Sequence, residues 1–288
     1  MYPTDRTTDR TIDIGINLHI RQWDGDPART PFVLLHGLSS NCRTWDGVAE
    51  HLHAAGHPVI TVDQRGHGLS DKPETGYDFE TVSGDLARLI RTLGLEKPVV
   101  AGQSWGGNVV LAFGAAYPGV ARGLCFVDGG FLDMGHFADS SWETVSVRLR
   151  PPHLIGMLRT DIKQRIAQGH PEWDDAGVEA TMANFETLPD GTVRPWLSLD
   201  RHMTIVRAMW EQRPGELFPR VQEPVLICPA QVADAERVHT KELQVAAAEQ
   251  GLPHSRTHWF EQTAHDIHVH RPQALADVML TALADGFW

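Results

Sequence analysis

Short apolar runs, each the length of one buried strand, recur along the chain at helix-length intervals, and this pattern limits the fold more than any other feature. The runs are Phe32-Val33-Leu34-Leu35, Val59-Ile60-Thr61-Val62, Val99-Val100-Ala101, Leu124-Cys125-Phe126-Val127, Val225-Leu226-Ile227-Cys228 and His258-Trp259-Phe260. Strands that are apolar on both faces belong in a parallel sheet covered by helices on both sides. Helices are predicted over 42–55, 80–94, 106–117, 239–250 and 272–285, with Pro118 closing the third. Near the start, Ile12-Asp13-Ile14 and Leu18-His19-Ile20 alternate, which predicts a half-exposed hairpin turning near Gly15.

The rhythm breaks between residues 131 and 220. That stretch offers helical fragments, the pair Pro151-Pro152 and many large apolar residues, and no strand-like run is evident. It reads as a helical insertion, with a core domain over 1–130 and 221–288 and a helical domain over 131–220. At 288 residues, 42% hydrophobic and 22% charged, the chain is too long for a small stapled module and too apolar for disorder.

The formal net charge of −12 leaves no basic footprint for nucleic acid, which needs Lys/Arg stripes to displace counterions. No uncharged apolar run approaches the roughly 20 residues that span a bilayer, so no membrane association is expected. The first residues, Met1 to Arg10, are polar and charged with no apolar segment after them, so no secretory signal is expected. Cysteines number three, Cys42, Cys125 and Cys228, two of them inside apolar runs. Buried reduced thiols and a cytoplasmic location are the expectation.

The most informative stretch is Gly102-Gln103-Ser104-Trp105-Gly106-Gly107, between a predicted strand and a predicted helix. A serine hydroxyl becomes a useful nucleophile when a turn holds it clear of the backbone and a base can reach it. A sharp strand-to-helix turn does the first, and its crowding requires glycine two residues before and after Ser104. The new helix also aims free backbone N–H groups at the reacting centre, so Trp105 N–H is a candidate oxyanion donor. His36-Gly37-Leu38 follows the first apolar run, where Gly37 lets the backbone approach and Leu38 N–H can be a second donor. Asp63-Gln64-Arg65-Gly66-His67-Gly68-Leu69-Ser70 reads as a tight structural loop whose charges pair with one another.

A base is needed for Ser104, and histidine titrates nearest working pH. Among 16 histidines, His265 alone stands in a short loop after the last predicted strand and seven residues before Pro272. A metal cluster of His265, Asp266, His268 and His270 is the other reading of this loop. No matching ligand set is evident elsewhere, so no metal and no organic cofactor is expected.

On these residues, His36-Gly37, Asp63 to Ser70, Gly102 to Gly107 and His265 in that order, the chain resembles the α/β-hydrolase fold superfamily. The resemblance covers roughly 200 residues of core and implies an α/β fold. Its sheet would be mostly parallel and flanked by helices, with a helical cap inserted after the sixth strand. A serine at position 104 implies a covalent acyl-enzyme and argues against haloalkane dehalogenases and epoxide hydrolases, which carry aspartate there. The histidine needs a carboxylate to hold its tautomer, and two residues satisfy the order. Most members place the acid after the strand matching Val225–Cys228, which points to Asp234, although Pro229 to Ala233 replaces the usual short glycine turn. Others place it after the strand matching Leu124 to Val127, which points to Asp128, before Gly129-Gly130. Asp128 is the expected acid and Asp234 the alternative.

The expected activity is a serine hydrolase cleaving a carboxylic ester, thioester or lactone of small to medium, largely apolar character. Other chemistry on the same triad stays open: C–C bond hydrolysis, acyl transfer, perhydrolysis, or receptor-like ligand binding with slow hydrolysis. His36, Trp142, Trp196 and Trp210 are the expected pocket residues, with packing inside the cap as the competing role for the tryptophans. Monomer and homodimer are both open.

Overall fold

The computed structural model describes residues 7–134, 140–231 and 235–288, with backbone alone for 235–237. Its strands are β1 (Thr7–Asp13), β2 (Asn17–Trp23), β3 (Phe32–Leu35), β4 (Val59–Val62), β5 (Val99–Gln103), β6 (Gly123–Val127), β7 (Phe185–Thr187), β8 (Val193–Pro195), β9 (Val225–Cys228), β10 (Ala230–Gln231), β11 (Ser255–Thr257) and β12 (Phe260–Glu261). The helices on the core side are α1 (Asp46–Ala54), α2 (Phe79–Thr92) and α3 (Trp105–Ala116). Between β6 and β9 lie α4 (Trp142–Arg148), α5 (Arg159–Gly169), α6 (Asp175–Met182), α7 (Leu199–Glu211) and α8 (Pro214–Leu217). The chain closes with α9 (Ala235–Gly251), α10 (Ile267–His270) and α11 (Pro272–Ala284).

Eight strands form one sheet in the order β1-β2-β4-β3-β5-β6-β9-β11. β1 and β2 are an antiparallel hairpin, β2 runs antiparallel to β4, and every later pairing is parallel. Strand alternation sends Val33, Leu35, Ile60, Val62, Leu124 and Phe126 to one face, where α2 and α3 cover them with Leu86, Leu89, Ile90 and Phe113. Phe32, Leu34, Val59, Cys125 and Leu226 point to the other face, under Val48 and Leu52 of α1 and Leu275 and Met279 of α11. Both faces are thus buried, the arrangement that continuous apolar runs require. All three cysteines are buried and unpaired. Among the described residues no helix is long and apolar enough to cross a membrane.

Three expectations need correcting. The final sheet strand is β11, three residues ahead of the His258-Trp259-Phe260 run, pairing Ser255 with Val225. It is a partly exposed edge strand, so Ser255, Arg256 and Thr257 carry no apolar signature. Phe260 pairs instead with Ala230 in the small parallel sheet β10–β12, which leads the chain to His265. The insertion is not free of strands, since β7 and β8 form a short hairpin. Three-residue strands are too short to show alternation, and only the turn at Asp190-Gly191, with Gly191 at φ +81°, marks it. Finally, the charges of the Asp63–Ser70 loop look outward: Asp63 accepts from His19 Nδ1, and Arg65 Nε donates to Asp85 Oδ2 of α2 at 2.7 Å.

Between β6 and β9, α4 and α7 pack on α3 through a third apolar cluster joining Trp105 and Val109 to Val145, Ile205, Val206 and Met209. The insertion therefore stands over the N-terminal end of α3, next to the carboxyl ends of β5 and β6, where open parallel sheets bind ligands.

Candidate active site

Ser104 lies between β5 and α3 with φ +53° and ψ −123°, a conformation that costs about 1–3 kcal/mol and persists where its surroundings enforce it. They do so through backbone. Ser104 N–H donates to Val127 O at 3.0 Å and Gly107 N–H to Ser104 O at 2.9 Å. A Cβ at Gly102 would collide with the carbonyl of Gly106, and one at Gly106 would stand 2.5 Å from His36 O. The glycine spacing is thus a consequence of β5, α3 and the β3 loop converging on one residue. The Ser104 hydroxyl has no hydrogen-bond partner among the described residues, and the link from Ser104 to His265 is not made in this structure.

Asp128 follows β6 at φ +42°, its side chain only 2% exposed. Asp128 Oδ2 accepts from His265 Nδ1 at 2.6 Å, and Oδ1 from Ala230 N–H at 2.8 Å. With its proton on Nδ1, His265 keeps Nε2 available to accept. The carboxyl has a third donor: Lys241 Nζ of α9 lies 2.7 Å from Oδ1. Burial by itself would push the Asp128 carboxyl up, but the His265 hydrogen bond and the positive charges of His265 and Lys241 outweigh it and hold the group below the usual carboxylate range. For His265, loss of water pulls downward while the hydrogen bond and charge of Asp128 push upward. Its side chain remains 47% exposed, so the desolvation is incomplete and the net direction is upward. Asp234, the alternative acid, lies outside the described residues.

The β3 loop meets Ser104 from the opposite side. A Cβ on Gly37 would lie 3.2 Å from Ser104 Cβ, which brings the backbone of Leu38 beside Ser104. Neither Leu38 N–H nor Trp105 N–H donates to a protein acceptor among the described residues. Ser39, at φ +60°, holds the loop: its N–H donates to His67 Nε2 at 3.2 Å, and its Oγ donates to His202 Nδ1 of α7 at 2.7 Å. His202 in turn donates from Nε2 to Leu149 O at 2.9 Å. His67 stacks on Trp105 with ring centroids 5.2 Å apart. Gln103 Nε2 donates to His265 O and Asp266 Oδ1, each at 3.3 Å, tying the histidine loop to β5.

Of the expected pocket residues, His36 has a structural place. His36 is fully buried and holds the loop together: Nδ1–H donates to Gly37 O at 2.7 Å and Nε2 accepts from Gln64 N–H at 3.1 Å, so no ring nitrogen is left for a ligand. Trp142 and Trp210 lie against each other, ring centroids 6.0 Å apart, and both carry the Arg207 guanidinium on their faces. Trp196 lies under Lys72 Nζ, 4.9 Å from the ring centroid. Trp142 and Trp210 thus meet within the segment between β6 and β9, and Trp196 meets the core through Lys72. His265, Asp266, His268 and His270 do not converge as a ligand set; among the described residues the group that does is His19, Cys42 and Asp63. Asp63 there already accepts from His19 Nδ1 and from the N–H groups of Cys42 and Leu69. Burial holds the Cys42 thiol well above its ordinary range, so this triad is a satisfied structural network.

Sequence reasoning passed over Lys241, Gln103, Ser39 and His202. Gln103 had a signal, since it occupies the variable place inside Gly102-x-Ser104. A lysine within a helix and a histidine 163 positions from Ser39 had none.

A profile of the alpha/beta hydrolase family matches residues 32–278. The chain belongs to the alpha/beta hydrolase family. Over 126 residues it is 36% identical to a 2-(acetamidomethylene)succinate hydrolase of Mesorhizobium japonicum, a match covering 43% of this chain and 44% of that protein. Over 110 residues it is 37% identical to a non-heme chloroperoxidase of Streptomyces lividans, covering 38% and 40% of the two chains. The matches thus span less than half the length of these relatives. Among solved structures, an E-2-(acetamidomethylene)succinate hydrolase superposes with a TM-score of 0.80 at 23% identity, covering 97% of this chain and 100% of that one. A thioesterase domain from the curacin biosynthetic pathway superposes at 0.77 with 18% identity, covering 96% and 100%. At these identities the superpositions show the fold.

Proposed function

We propose that the protein is a serine hydrolase cleaving a carboxylic ester, thioester or lactone of small to medium, largely apolar character through an acyl-enzyme on Ser104. The observation that carries this reading is the 2.6 Å hydrogen bond between His265 Nδ1 and Asp128 Oδ2, in a loop that Gln103 ties to the strand ending at Ser104. His265 takes the Ser104 proton as the hydroxyl oxygen attacks the carbonyl carbon. Leu38 N–H and Trp105 N–H receive the oxyanion. The alcohol or thiol leaves with that proton, and water, deprotonated by His265, then releases the acid. Asp128 keeps the imidazole in the tautomer that leaves Nε2 to accept. The segment 131–220 acts as a cap over the Ser104 end of α3, joined to it by the apolar cluster of Trp105, Val145 and Ile205. Three buried thiols support a reducing, cytoplasmic setting.

A second reading is favoured by one observation: a relative named for 2-(acetamidomethylene)succinate hydrolysis is found both by sequence and by fold. The acyl group would then be carried on nitrogen rather than oxygen or sulfur, with the same residues in the same roles. A fluorophosphonate probe and a panel of p-nitrophenyl esters, thioesters, lactones and N-acyl enamines decide the matter. Labelling confined to Ser104, abolished in Ser104→Ala together with turnover, is expected. Turnover that survives Ser104→Ala refutes the acyl-enzyme, and preference for the enamines over every ester selects the second reading.

A further inference from the structure

The Asp128 carboxylate has a partner that holding His265 does not require. Lys241 Nζ lies 2.7 Å from Oδ1 and 2.9 Å from Oδ2, and donates also to Ala230 O at 2.6 Å. Oδ2 is the oxygen that accepts from His265 Nδ1, and Ala230 is the residue of β10 whose neighbour strand β12 leads into the His265 loop. One ammonium therefore spans the acid, the strand beside it and, through that strand, the approach to the base.

Two consequences follow from elementary electrostatics. A carboxylate this deeply buried needs a counter-charge, and Lys241, 18% exposed, supplies it whatever the state of His265. The negative charge that would favour an imidazolium is thus already shared, and a second cation nearby disfavours it further. The bonds to both oxygens and to Ala230 O also stop the carboxylate from rotating away from His265. Among the described residues, the other titratable groups acting on His265 are Asp266 and His268. Asp266, on its own loop, is held by Gln103. His268 is kept neutral by burial down to about 4.

We propose that Lys241 is a positioning residue, which fixes the Asp128 carboxylate against His265 and offsets part of its charge, so that His265 becomes a free base at lower pH than Asp128 alone would allow. The proposal rests on reading Ser104, His265 and Asp128 as the catalytic triad. Without Lys241, the buried carboxylate must draw its counter-charge from His265, which then holds its proton to higher pH.

The test is the rate of Ser104 labelling by a fluorophosphonate between about pH 5 and 9, which requires no knowledge of the substrate. Lys241→Met removes charge and tether, Lys241→Gln keeps a donor without the charge, and Lys241→Arg keeps the charge. The acidic limb is expected to move to higher pH in the Met and Gln variants and to stay in place in the Arg variant. On the limb, labelling then falls about tenfold per pH unit of displacement. A limb that stays or moves to lower pH in either folded uncharged variant overturns the proposal. Independently of any variant's folding, the 15N signal of the Lys241 ammonium in the unaltered protein must follow the titration of His265, and a signal that ignores it overturns the proposal equally. A wild-type protein that is not labelled at Ser104 refutes the triad reading instead, so the two failures are distinct.

Discussion

Asp128→Asn isolates what the carboxylate does, because the side chain keeps its size while losing its charge and half its acceptor capacity. Either orientation of the new amide is frustrated. With its oxygen on Ala230 N–H, now 2.8 Å from Oδ1, its NH2 faces His265 Nδ1, now 2.6 Å from Oδ2. His265 must then accept through Nδ1 and carry its proton on Nε2, where it cannot take one from Ser104. With the amide reversed, NH2 faces Ala230 N–H and Lys241 Nζ, which spans both oxygens. In serine triads the wrong tautomer lowers kcat by about 10^4. A loss of about 10^3 to 10^4 in kcat/KM, about 4–5.5 kcal/mol of transition-state stabilisation at ~1.4 kcal/mol per decade, is therefore expected. Breaking the buried pair with Lys241 also destabilises the fold, by up to about 3 kcal/mol, since the ammonium can turn toward solvent. The assay is kcat/KM on a p-nitrophenyl ester at a temperature where a thermal melt shows the variant folded, with Asp234→Asn alongside. An Asp128→Asn enzyme within tenfold of wild type, while Asp234→Asn loses three decades, would refute the assignment of Asp128.

Further outcomes follow from the same geometry. With His265 held above its ordinary value of about 6.5, kcat/KM should fall on acidification with a midpoint above pH 6.5, and a flat profile from about pH 5 to 8 contradicts a histidine base. The stability linkage runs the other way: the His265–Asp128 bond contributes fully below about pH 6.5 and is lost as pH rises through the raised value, whereas Asp128 contributes fully above about 3.9 and is lost as pH falls through its lowered one. Asp63→Asn, which removes the charge that accepts from His19, Cys42 and Leu69, should cost about 3–5 kcal/mol in chemical denaturation with kcat changed far less than stability; a loss under 1 kcal/mol would deny the network that role. His202→Phe keeps a ring in α7 but frees Ser39 Oγ. If Ser39 positions Leu38 N–H, kcat should drop by about tenfold or more with KM little changed, and an unchanged kcat removes α7 from the oxyanion argument.

The features legible before folding are those written within a few residues of one another. Alternating buried runs specify a two-faced sheet, and Gly102 and Gly106 around Ser104 specify a turn because a Cβ at either place meets backbone of the same local unit or of the β3 loop. The hairpin β1–β2 and the helices of the core are legible for the same reason, since periodicity and caps are local. The contact of Asp128 with His265 is visible only in the tertiary structure, because chain order admits both Asp128 and Asp234 and the contact joins residues 137 positions apart. The parallel register of β6 on β9, Val127 beside Cys228, brings Asp128 to Ala230, and α9 then lays Lys241 across them. Pocket and packing are likewise indistinguishable in a list of tryptophans: Trp142, Trp196 and Trp210 found cations to cover, and no local pattern records which neighbour a large side chain will meet.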